Sequence, residues 1–592
     1  MNILLITPPL LQPNTPYAAT PLLTGYLRSL GHDAQQADLS LQLLLRLFSP
    51  EGLPELFEAV RDSWAAREFV EQQEQYIQRI QPVIAFLQGR NSSLAYRIVN
   101  RGFLPEGPHL SRAFENEDQL GYAFGTMGLQ DRARYLATMF LDDIADAAKF
   151  ADEKFGFARY AEKLAVSLSS FEPMQQALES DPTLFDRWQD EHARQLLADK
   201  QPELVAITVP FPGCLYGALR IARAMKQAQP DLKITLGGGY VNTELRELSD
   251  PAIFDYVDSI TLDSGMVPLR QLAAGSSELV RTYLREEGTA RFVDTEGVPP
   301  VAHNELPAPV YDGLPLGEYL QLFEMLNPVN RLWSDGRWNK LVLAHGCHWH
   351  RCAFCDTSID YIKRYDPAEA VTICDWIEQV IAETGRTGFH FVDEALPPML
   401  LEPLCDELLR RKLNITWWGN LRFEARFSET LIRKMAATGC IAVTGGLETA
   451  SDRTLKLMQK GIQVESAAGV MELLADEGIL VHTYLMYGFP TQTFDETLDA
   501  LDVVRQLFAA GILHSAYWHR FAATAHSEVS EQPEKFGIEI LPHETGRFAV
   551  NEIPFDGHFD YDLDATGLAL KTATYNFMHG IGLEDPVERW FR

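Results

Sequence analysis

The stretch from residue 340 to residue 355, KLVLAHGCHWHRCAFC, decides how the rest of the sequence is interpreted. Its opening residues form a short apolar run, as expected of a strand buried on both faces. Cys347, Cys352 and Cys355 then follow with the spacing C-x4-C-x2-C, and three histidines lie close by, at 345, 348 and 350. So many thiol and imidazole groups in one loop predict a metal site at the end of that strand.

Five further apolar segments follow at regular intervals, with amphipathic helices between them. The predicted strands are KLVLA (340–344), GFHFVDE (388–394), NITWWGNLRF (414–423), IAVTGGLE (441–448), ILVHTYLMYGF (479–489) and HSAYWHRFA (514–522). Ser428 is an expected helix N-cap, and the helix over 368–385 ends at a glycine. Six strand–helix units predict a partial, TIM-like (βα)6 barrel, whose chemistry lies at the carboxyl ends of the strands.

The N-terminal part of the chain predicts a second α/β domain. NILLIT (2–7) is a buried strand, and a helix follows that ends at Gly31. Strand–helix alternation resumes with PELVAITVPF (202–211) and KITLGGGY (233–240), and residues 41–200 between them are mostly helical. These segments predict a doubly wound, Rossmann-like parallel sheet with a long helical insertion, and ligands bind such sheets at the carboxyl ends of the strands.

These elements divide the chain into four parts. We expect a first domain over 1–296 with its insertion at about 41–200, a proline-rich linker over 297–325, the barrel over 326–525 and a C-terminal extension over 526–592. The insertion is expected to act mainly as scaffold.

Charge and cysteine content exclude several classes of function. The formal net charge of −31 disfavours a nucleic-acid partner or an anionic membrane surface. No apolar run reaches the roughly eighteen residues that span a bilayer, and we expect a cytoplasmic protein. The seven cysteines show no disulfide framework. Outside the loop they are expected to be small buried residues, and these are Cys214, Cys374, Cys405 and Cys440.

The spacing of the three loop cysteines leaves two metal sites open. Three thiolates can ligate three irons of a four-iron, four-sulfur cubane, so that the fourth iron is open to a small molecule. Alternatively, the same cysteines and one of His345, His348 or His350 could form a structural zinc site in a binding protein without redox chemistry. The position of the loop on a large barrel, which needs no zinc to fold, favours the cluster.

The loop resembles the signature of the radical S-adenosylmethionine (radical SAM) superfamily. Residues 346–355 match the pattern G-C-x-W-x-x-C-x-F-C of one subgroup, although the commoner spacing has one residue fewer. FVDEALPP (391–398), GGLETASDRTLKLMQKG (445–461) and YLMYGFPTQTFDET (484–497) resemble later motifs of the family in the same order. The resemblance implies a 4Fe-4S cluster, S-adenosylmethionine as cofactor, a 5′-deoxyadenosyl radical that abstracts hydrogen, and an external electron donor such as flavodoxin or ferredoxin.

The same resemblance suggests which residues contact the cofactors. Phe354 lies beside the last cysteine, Asp393 and Glu394 are expected to hold the amino group of S-adenosylmethionine, and Arg422 its carboxylate. Glu448 is a candidate for the ribose or the amino group. The alternatives are structural: helix capping for the two acidic neighbours, a surface ion pair for Arg422, and for Glu448 a salt bridge to one of two basic residues on the next helix, Arg453 or Lys456.

The N-terminal sheet resembles the cobalamin-binding domain that precedes the barrel in a large subgroup of this superfamily. GYLRSLGHDAQQAD (25–38) and ITLGGGYVN (234–242) carry the resemblance, and the expected contacts are Thr208, Gly237, Gly238 and Gly239. No D-x-H-x-x-G motif supplies a histidine to cobalt. The implied reaction is methyl transfer to an unactivated carbon. The alternative is a cobalamin-independent rearrangement, oxidation or cyclisation of a small molecule or peptide.

Overall fold

The computed structural model describes residues 1–116, 118, 120–121, 125, 128–157, 170–542 and 548–591. Within this part of the chain there are two main sheets, each built from parallel strands and covered by helices. This arrangement confirms the predicted fold class. No helix among the described residues is both long and apolar enough to cross a membrane.

The N-terminal sheet has seven strands in the order β2-β1-β3-β4-β5-β6-β7. The first five are parallel, whereas β6 and β7 are antiparallel. The order reverses between β1 and β3, which makes the carboxyl ends of these strands the expected ligand-binding edge. The strands are β1 (Asn2–Thr7), β2 (Asp33–Asp38), β3 (Leu204–Thr208), β4 (Lys233–Gly237), β5 (Ser259–Thr261), β6 (Thr282–Glu286) and β7 (Thr289–Val293).

Helices cover this sheet because their apolar faces pack against the buried sides of β1, β3 and β4. Those next to the sheet are Ala19–Ser29, Leu215–Ala228, Gly239–Glu244 and Met266–Ala273, with one-turn 3-10 helices at Pro212–Cys214 and Pro251–Asp255. The predicted strand over 233–240 is therefore too long, since the chain turns into a helix at Gly239.

The described residues between β2 and β3 are mostly helical. Their α-helices are Leu39–Leu47, Gly52–Ala59, Arg67–Glu71, Gln73–Leu87, Ala95–Ile98, Pro108–Glu115, Leu129–Ala151, Glu172–Glu179 and Leu184–Lys200, with 3-10 turns at Trp64–Ala66 and Ser92–Leu94. Their core is continuous with that of the sheet. Arg220 on the sheet side and Asp190 in the insertion form a buried, bidentate ion pair at 2.6 and 2.7 Å that joins the two.

The second sheet contains six parallel strands in the order β15-β14-β13-β12-β11-β8, as a partial (βα)6 barrel requires. Its strands are β8 (Asn339–Leu341), β11 (Gly388–Leu396), β12 (Thr416–Leu421), β13 (Cys440–Glu448), β14 (Leu480–Tyr487) and β15 (Ser515–Arg520). A short antiparallel pair, β9 (Ala344–His345) and β10 (Asp366–Pro367), lies beyond the end of β8.

Two barrel helices begin and end, respectively, at the residues that the sequence predicts. Ser428 accepts a hydrogen bond from the N–H of Leu431 at 3.2 Å, and Gly385 ends its helix in the left-handed conformation. The helices of this region are Pro328–Trp333, Asp360–Lys363, Ala370–Thr384, Pro398–Arg411, Glu429–Ala437, Asp452–Leu457, Val464–Asp476 and Phe494–Ala509.

The C-terminal residues cover the β15 edge of the barrel. Helix Leu563–Met578 packs on β15, where Trp518 Nε1 donates to Thr574 Oγ1 at 2.9 Å. The other elements here are β16 (Ala523–Thr524), β17 (Ile538–Ile540), β18 (Glu552–Ile553), β19 (Phe555–Gly557), helix Glu528–Glu531, and 3-10 turns at Pro533–Phe536 and Val587–Phe591.

The two sheets face one another across a shared apolar core, to which Leu5 and Ala206 contribute from the first sheet and Leu341 and Phe391 from the barrel. The segment over 297–325 runs along both and contains a 3-10 turn at His303–Glu305. The carboxyl edge of the first sheet therefore lies next to the first barrel strand.

Candidate functional site

The cysteine loop begins where the first barrel strand ends. β9 and β10 pair behind it, and the N–H of Ala353 donates to the carbonyl of Met458 at 2.9 Å, which anchors the loop to the segment after β13. Cys352 is buried, Cys347 and Cys355 are half-buried, and all three are free thiols. The structure thus brings three free cysteines to the carboxyl end of a barrel, the position of active sites in such folds.

Positive side chains surround the most buried of these thiols. Arg422, itself buried, points Nη1 at the sulfur of Cys352 at 3.7 Å and lies over the ring of Trp349 at 4.5 Å. A hydrogen bond from Cys355 lowers the pKa of the Cys352 thiol, and the charges of Lys460 and Arg422 act in the same direction. The hydrogen bond to Cys352 and burial raise the pKa of the Cys355 thiol, so these surroundings favour negative charge on the sulfur of Cys352.

Glu448, at the end of β13, forms a buried ion pair with Lys460 at 2.6 Å. The two side chains are 10% and 9% exposed. The salt bridge considered from the sequence, to Arg453 or Lys456, is not the one that forms: Arg453 pairs with Glu496 instead. Sequence reasoning missed Lys460, although it lies in a segment that resembles a family motif.

The segment 459–461 also holds two aromatic residues of the loop. Trp349 Nε1 donates to the carbonyl of Gln459 at 2.9 Å, and a side chain at Gly461, where φ is +74°, would collide with the Trp349 ring. Lys460 Nζ lies 5.6 Å from the ring centre of Phe354. The motif around residue 460 is therefore a wall against which the cysteine loop packs.

The three histidines of the loop are engaged with other groups. His345 bonds the carboxylate of Asp360 at 3.2 Å, His348 that of Glu424 at 2.7 Å, and His350 a backbone carbonyl of the loop at 3.0 Å. Within the described ranges no three Cys, His, Asp or Glu side chains converge on a single-ion site. The histidine contacts do not favour the zinc alternative.

Asp393 and Glu394, adjacent in β11, have different surroundings. The buried carboxylate of Asp393 accepts hydrogen bonds from the N–H groups of Leu343 and Ala344, at 3.0 and 2.7 Å, so it holds the strand that leads into the cysteine loop. Burial raises the pKa of Asp393 to about 7. The side chain of Glu394 is open to solvent, but protein surrounds it on most sides. This burial raises the pKa of Glu394, whereas the charge of the nearby His345 lowers it.

A cavity of about 400 Å³, termed here the interdomain cavity, separates the carboxyl edge of the first sheet from the barrel. Thr208, Gly237 and Gly238 line it, whereas Gly239 begins the next helix. A side chain at Gly238, where φ is +111°, would collide with the backbone of Val209. This glycine is thus required by the packing of the chain itself. The barrel contributes Lys340, Val342, His345, Tyr361 and Val392 to the opposite wall.

Two further cavities adjoin the interdomain cavity, and Lys340 lines all three. One, of about 470 Å³, lies over Tyr17 and Cys214. The other, of about 300 Å³, is inside the barrel and is termed the barrel cavity; it is lined by Gln12, Asn14, Thr15, Trp333, Trp338, Lys340, His390, Trp418, Asn420, Thr444 and Tyr484. Sequence reasoning missed Lys340, since a single lysine at the start of a strand carries no functional signal.

Comparison with known proteins agrees with this geometry. The family model of the radical SAM superfamily matches residues 341–504, which include the cysteine loop and the barrel strands through β14. Residues 341–504 of this chain therefore form a radical SAM domain by this match. This family implies a 4Fe-4S cluster and S-adenosylmethionine as its cofactors.

Two curated proteins similar to this chain come from different organisms. An uncharacterised methyltransferase, PH0819, of Pyrococcus horikoshii is 24% identical over 320 residues, which cover 52% of this chain and 64% of that protein. The anaerobic magnesium-protoporphyrin IX monomethyl ester cyclase of Rubrivivax gelatinosus is 22% identical over 322 residues, covering 52% and 55%. The chain thus spans 55–64% of the length of these relatives.

Solved structures show the same fold over more of the chain. The radical SAM methyltransferase TsrM from Kitasatospora setae, solved with tryptophan and a SAM analogue, aligns with a TM-score of 0.53 and 14% identity, over 97% of this chain and 89% of its own. The cobalamin-dependent radical SAM enzyme OxsB, with aqua-cobalamin bound, has a TM-score of 0.50 and 16% identity, over 67% of this chain and 60% of its own. Both likenesses concern the fold, and the alignment with TsrM includes the N-terminal sheet.

Proposed function

We propose that this chain is a radical SAM enzyme in which Cys347, Cys352 and Cys355 ligate a 4Fe-4S cluster. When bound, the cluster and S-adenosylmethionine supply a one-electron cleavage that yields a 5′-deoxyadenosyl radical able to abstract hydrogen from an unactivated carbon. The observation that carries the proposal is the placement of three free thiols at the carboxyl end of β8. Arg422 and Lys460 beside Cys352 fit this group, since they offset the negative charge of thiolates and sulfides.

The neighbouring residues divide into those that build the loop and those that face the cavities. Asp393 holds the backbone before the loop, Arg422 lies against the thiol of Cys352, and the ring of Phe354 lies under the ammonium of Lys460. Glu394 accepts no hydrogen bond from the described residues and is the carboxylate best suited to bind the ammonium group of S-adenosylmethionine. Glu448, fixed by Lys460, presents its second oxygen for a hydroxyl or amino group of the same cofactor.

We propose cobalamin as the second cofactor and methyl transfer as the reaction. The sheet order places the interdomain cavity at the switch point between β1 and β3, where doubly wound sheets bind ligands. The adjoining cavity, which shares Tyr17 and Lys340, extends this space as a bulky corrinoid requires. Thr235, on the cavity wall, has a buried hydroxyl without a hydrogen-bond partner among the described residues. That relatives are named as a methyltransferase and a cobalamin-dependent enzyme supports this choice.

The partners follow from the same chemistry. The substrate is a small molecule or peptide, and reduction of the cluster requires a one-electron donor such as flavodoxin or ferredoxin. The net charge of −31 argues against nucleic acid and anionic membranes as partners.

Anaerobic purification and reconstitution of the full chain test the proposal. We expect about four irons per chain, corrinoid absorbance after incubation with hydroxocobalamin and gel filtration, and 5′-deoxyadenosine on addition of S-adenosylmethionine and dithionite. Replacing Cys352 and Cys355 by Ala should abolish product formation. Replacing the buried Cys374 and Cys405 by Ala is the matched control and should leave it intact.

The outcomes separate the candidate functions. Cleavage without corrinoid binding would retain the radical SAM assignment and point to a cobalamin-independent rearrangement, oxidation or cyclisation. Stoichiometric zinc without iron would overturn the assignment as a whole.

A further inference from the structure

The barrel cavity contains one side chain that is positively charged at neutral pH, and that charge lacks an ion-pair partner. Lys340 lines the cavity, and within the described ranges it forms no ion pair with a carboxylate. Asp38 is the carboxylate whose charge reaches it, but the oxygens of Asp38 accept hydrogen bonds from the N–H of Leu41 at 2.8 Å and from the hydroxyl of Tyr319 at 2.7 Å. The ammonium of Lys340 is therefore available to a ligand.

This lack of a partner is unusual in such an acidic protein. The sequence contains 82 Asp and Glu residues, yet none of those described lines the barrel cavity. An enclosed ammonium is costly unless an anion pairs with it. Burial lowers the pKa of Lys340 to about 8, as this cost predicts. Burial, together with the charge of Lys340, lowers the pKa of His390 well below its ordinary value, which keeps that ring neutral.

The two asparagines of the cavity are already bonded to the protein, whereas the buried Nε1 groups of Trp333 and Trp418 have no hydrogen-bond partner among the described residues. Asn420 donates to the carbonyl of Asp393 at 2.9 Å and accepts from the hydroxyl of Thr444, and Asn14 donates to the carbonyl of Trp333 at 2.7 Å. These groups define the shape of the cavity, and Lys340 remains as the donor whose charge is unmet.

Flat side chains form most of the remaining wall. The rings of His390 and Trp418 stack in parallel, with centroids 3.5 Å apart and 9° between planes. Trp333 lies 6.5 Å from Trp418, and Tyr484 lines the same space. Such walls favour a flat, unsaturated ligand, because aromatic rings gain from offset and edge contacts as well as from burial.

We propose that the barrel cavity binds a substrate with an anionic group, held by Lys340, on a flat aromatic body that packs among Trp418, Trp333 and Tyr484. This inference rests on the proposed function, because it names the substrate class of that enzyme. The same ammonium chemistry would also suit the phosphate of a corrinoid in the adjoining interdomain cavity, so the experiment must separate the two anions.

The test compares two matched probe pairs on the reconstituted full chain by anaerobic calorimetry. Indole-3-acetate and benzoate carry the anion, and indole-3-acetamide and benzamide are their neutral counterparts. Since a charge-assisted hydrogen bond is lost in the neutral probes, we expect the wild-type chain to bind at least one of the acids about tenfold more tightly than its amide. Lys340→Met should reduce that ratio to below about twofold, and Lys340→Arg should retain most of it. Lys456→Met, on an exposed helix, is the matched control and should keep the full ratio.

Circular dichroism and retention of hydroxocobalamin by Lys340→Met complete the experiment. A folded variant that retains corrinoid but loses the preference for acids supports the proposal. Equal binding of acids and amides by the wild-type chain would overturn the anionic part, and no binding of any probe would overturn the aromatic part. Loss of hydroxocobalamin with an unchanged acid preference would assign Lys340 to the corrinoid instead. Formation of 5′-deoxyadenosine by the wild-type chain tests the underlying function separately.

Discussion

Replacing Glu448 by Gln should destabilise the segment that supports the cysteine loop. The change removes the carboxylate that Lys460 contacts at 2.6 Å while both side chains are about nine-tenths buried. Removing one partner of such a pair leaves an uncompensated charge and costs roughly 3–5 kcal/mol. The same lysine carries the carbonyl to which buried Arg422 donates. The loss should therefore be felt at the wall behind Cys352.

Hydrogen exchange with mass spectrometry measures this loss locally, which matters because a chain with two sheets is not expected to unfold in two states. At 1.4 kcal/mol per factor of ten, the lower bound predicts exchange about a hundredfold faster in peptides covering 440–462. Adding Lys460→Met to Glu448→Gln should restore most of the protection, because the second change removes the unpaired charge.

Glu429→Gln is the matched control for this experiment. It breaks the exposed pair with Arg433, whose side chains are 56% and 63% exposed, and should cost less than about 1 kcal/mol. If Glu448→Gln exchanged as slowly as the wild-type chain, the buried ion pair would contribute nothing and the proposed support of the loop would be refuted.

Three further predictions concern the other parts of the molecule. Arg220→Met should cost about 3 kcal/mol and speed exchange in helix Leu184–Lys200, since Asp190 then loses its buried partner; unchanged protection would contradict this. Glu394→Gln should raise the S-adenosylmethionine concentration for half-maximal 5′-deoxyadenosine formation by about tenfold, as expected if its carboxylate binds the ammonium group, whereas a change in maximal rate alone would not fit. Because the pKa of Lys340 is lowered to about 8, indole-3-acetate should bind more weakly as the pH rises past 8, and indole-3-acetamide should not. Between pH 8 and 10.5, the ordinary pKa of lysine, Lys340 binds fewer protons in the folded chain than in the unfolded chain. The contribution of Lys340 to the free energy of unfolding should therefore increase as the pH rises through that range.

Much of the fold could be predicted because its signals are local. The six barrel strands alternate with helices whose ends carry standard caps, and the cap at Ser428 forms as predicted. The hairpin of β6 and β7 was missed, since its strands are largely exposed at the sheet edge and lack the apolar run of a buried strand. The end of β4 was misplaced because a continuous strand pattern does not reveal that the chain turns at Gly238.

The cysteine loop could be predicted from spacing, but its surroundings could not. Arg453 and Lys456 are nearer to Glu448 along the chain than Lys460 is, yet the helix ends at Leu457 and the chain turns Lys460 back to the carboxylate. The importance of Lys340 depends on cavities that form only when the two sheets face each other. Tertiary packing, rather than local pattern, determines both features.

The most direct test of the central claim is electron paramagnetic resonance of the reduced, reconstituted chain with and without S-adenosylmethionine. If the three loop cysteines leave one iron open, the signal of the reduced cluster should change when S-adenosylmethionine binds, and with Glu394→Gln the same change should require about tenfold more S-adenosylmethionine. A cluster signal that S-adenosylmethionine leaves unaltered, or a chain that binds zinc and no iron, would contradict the account.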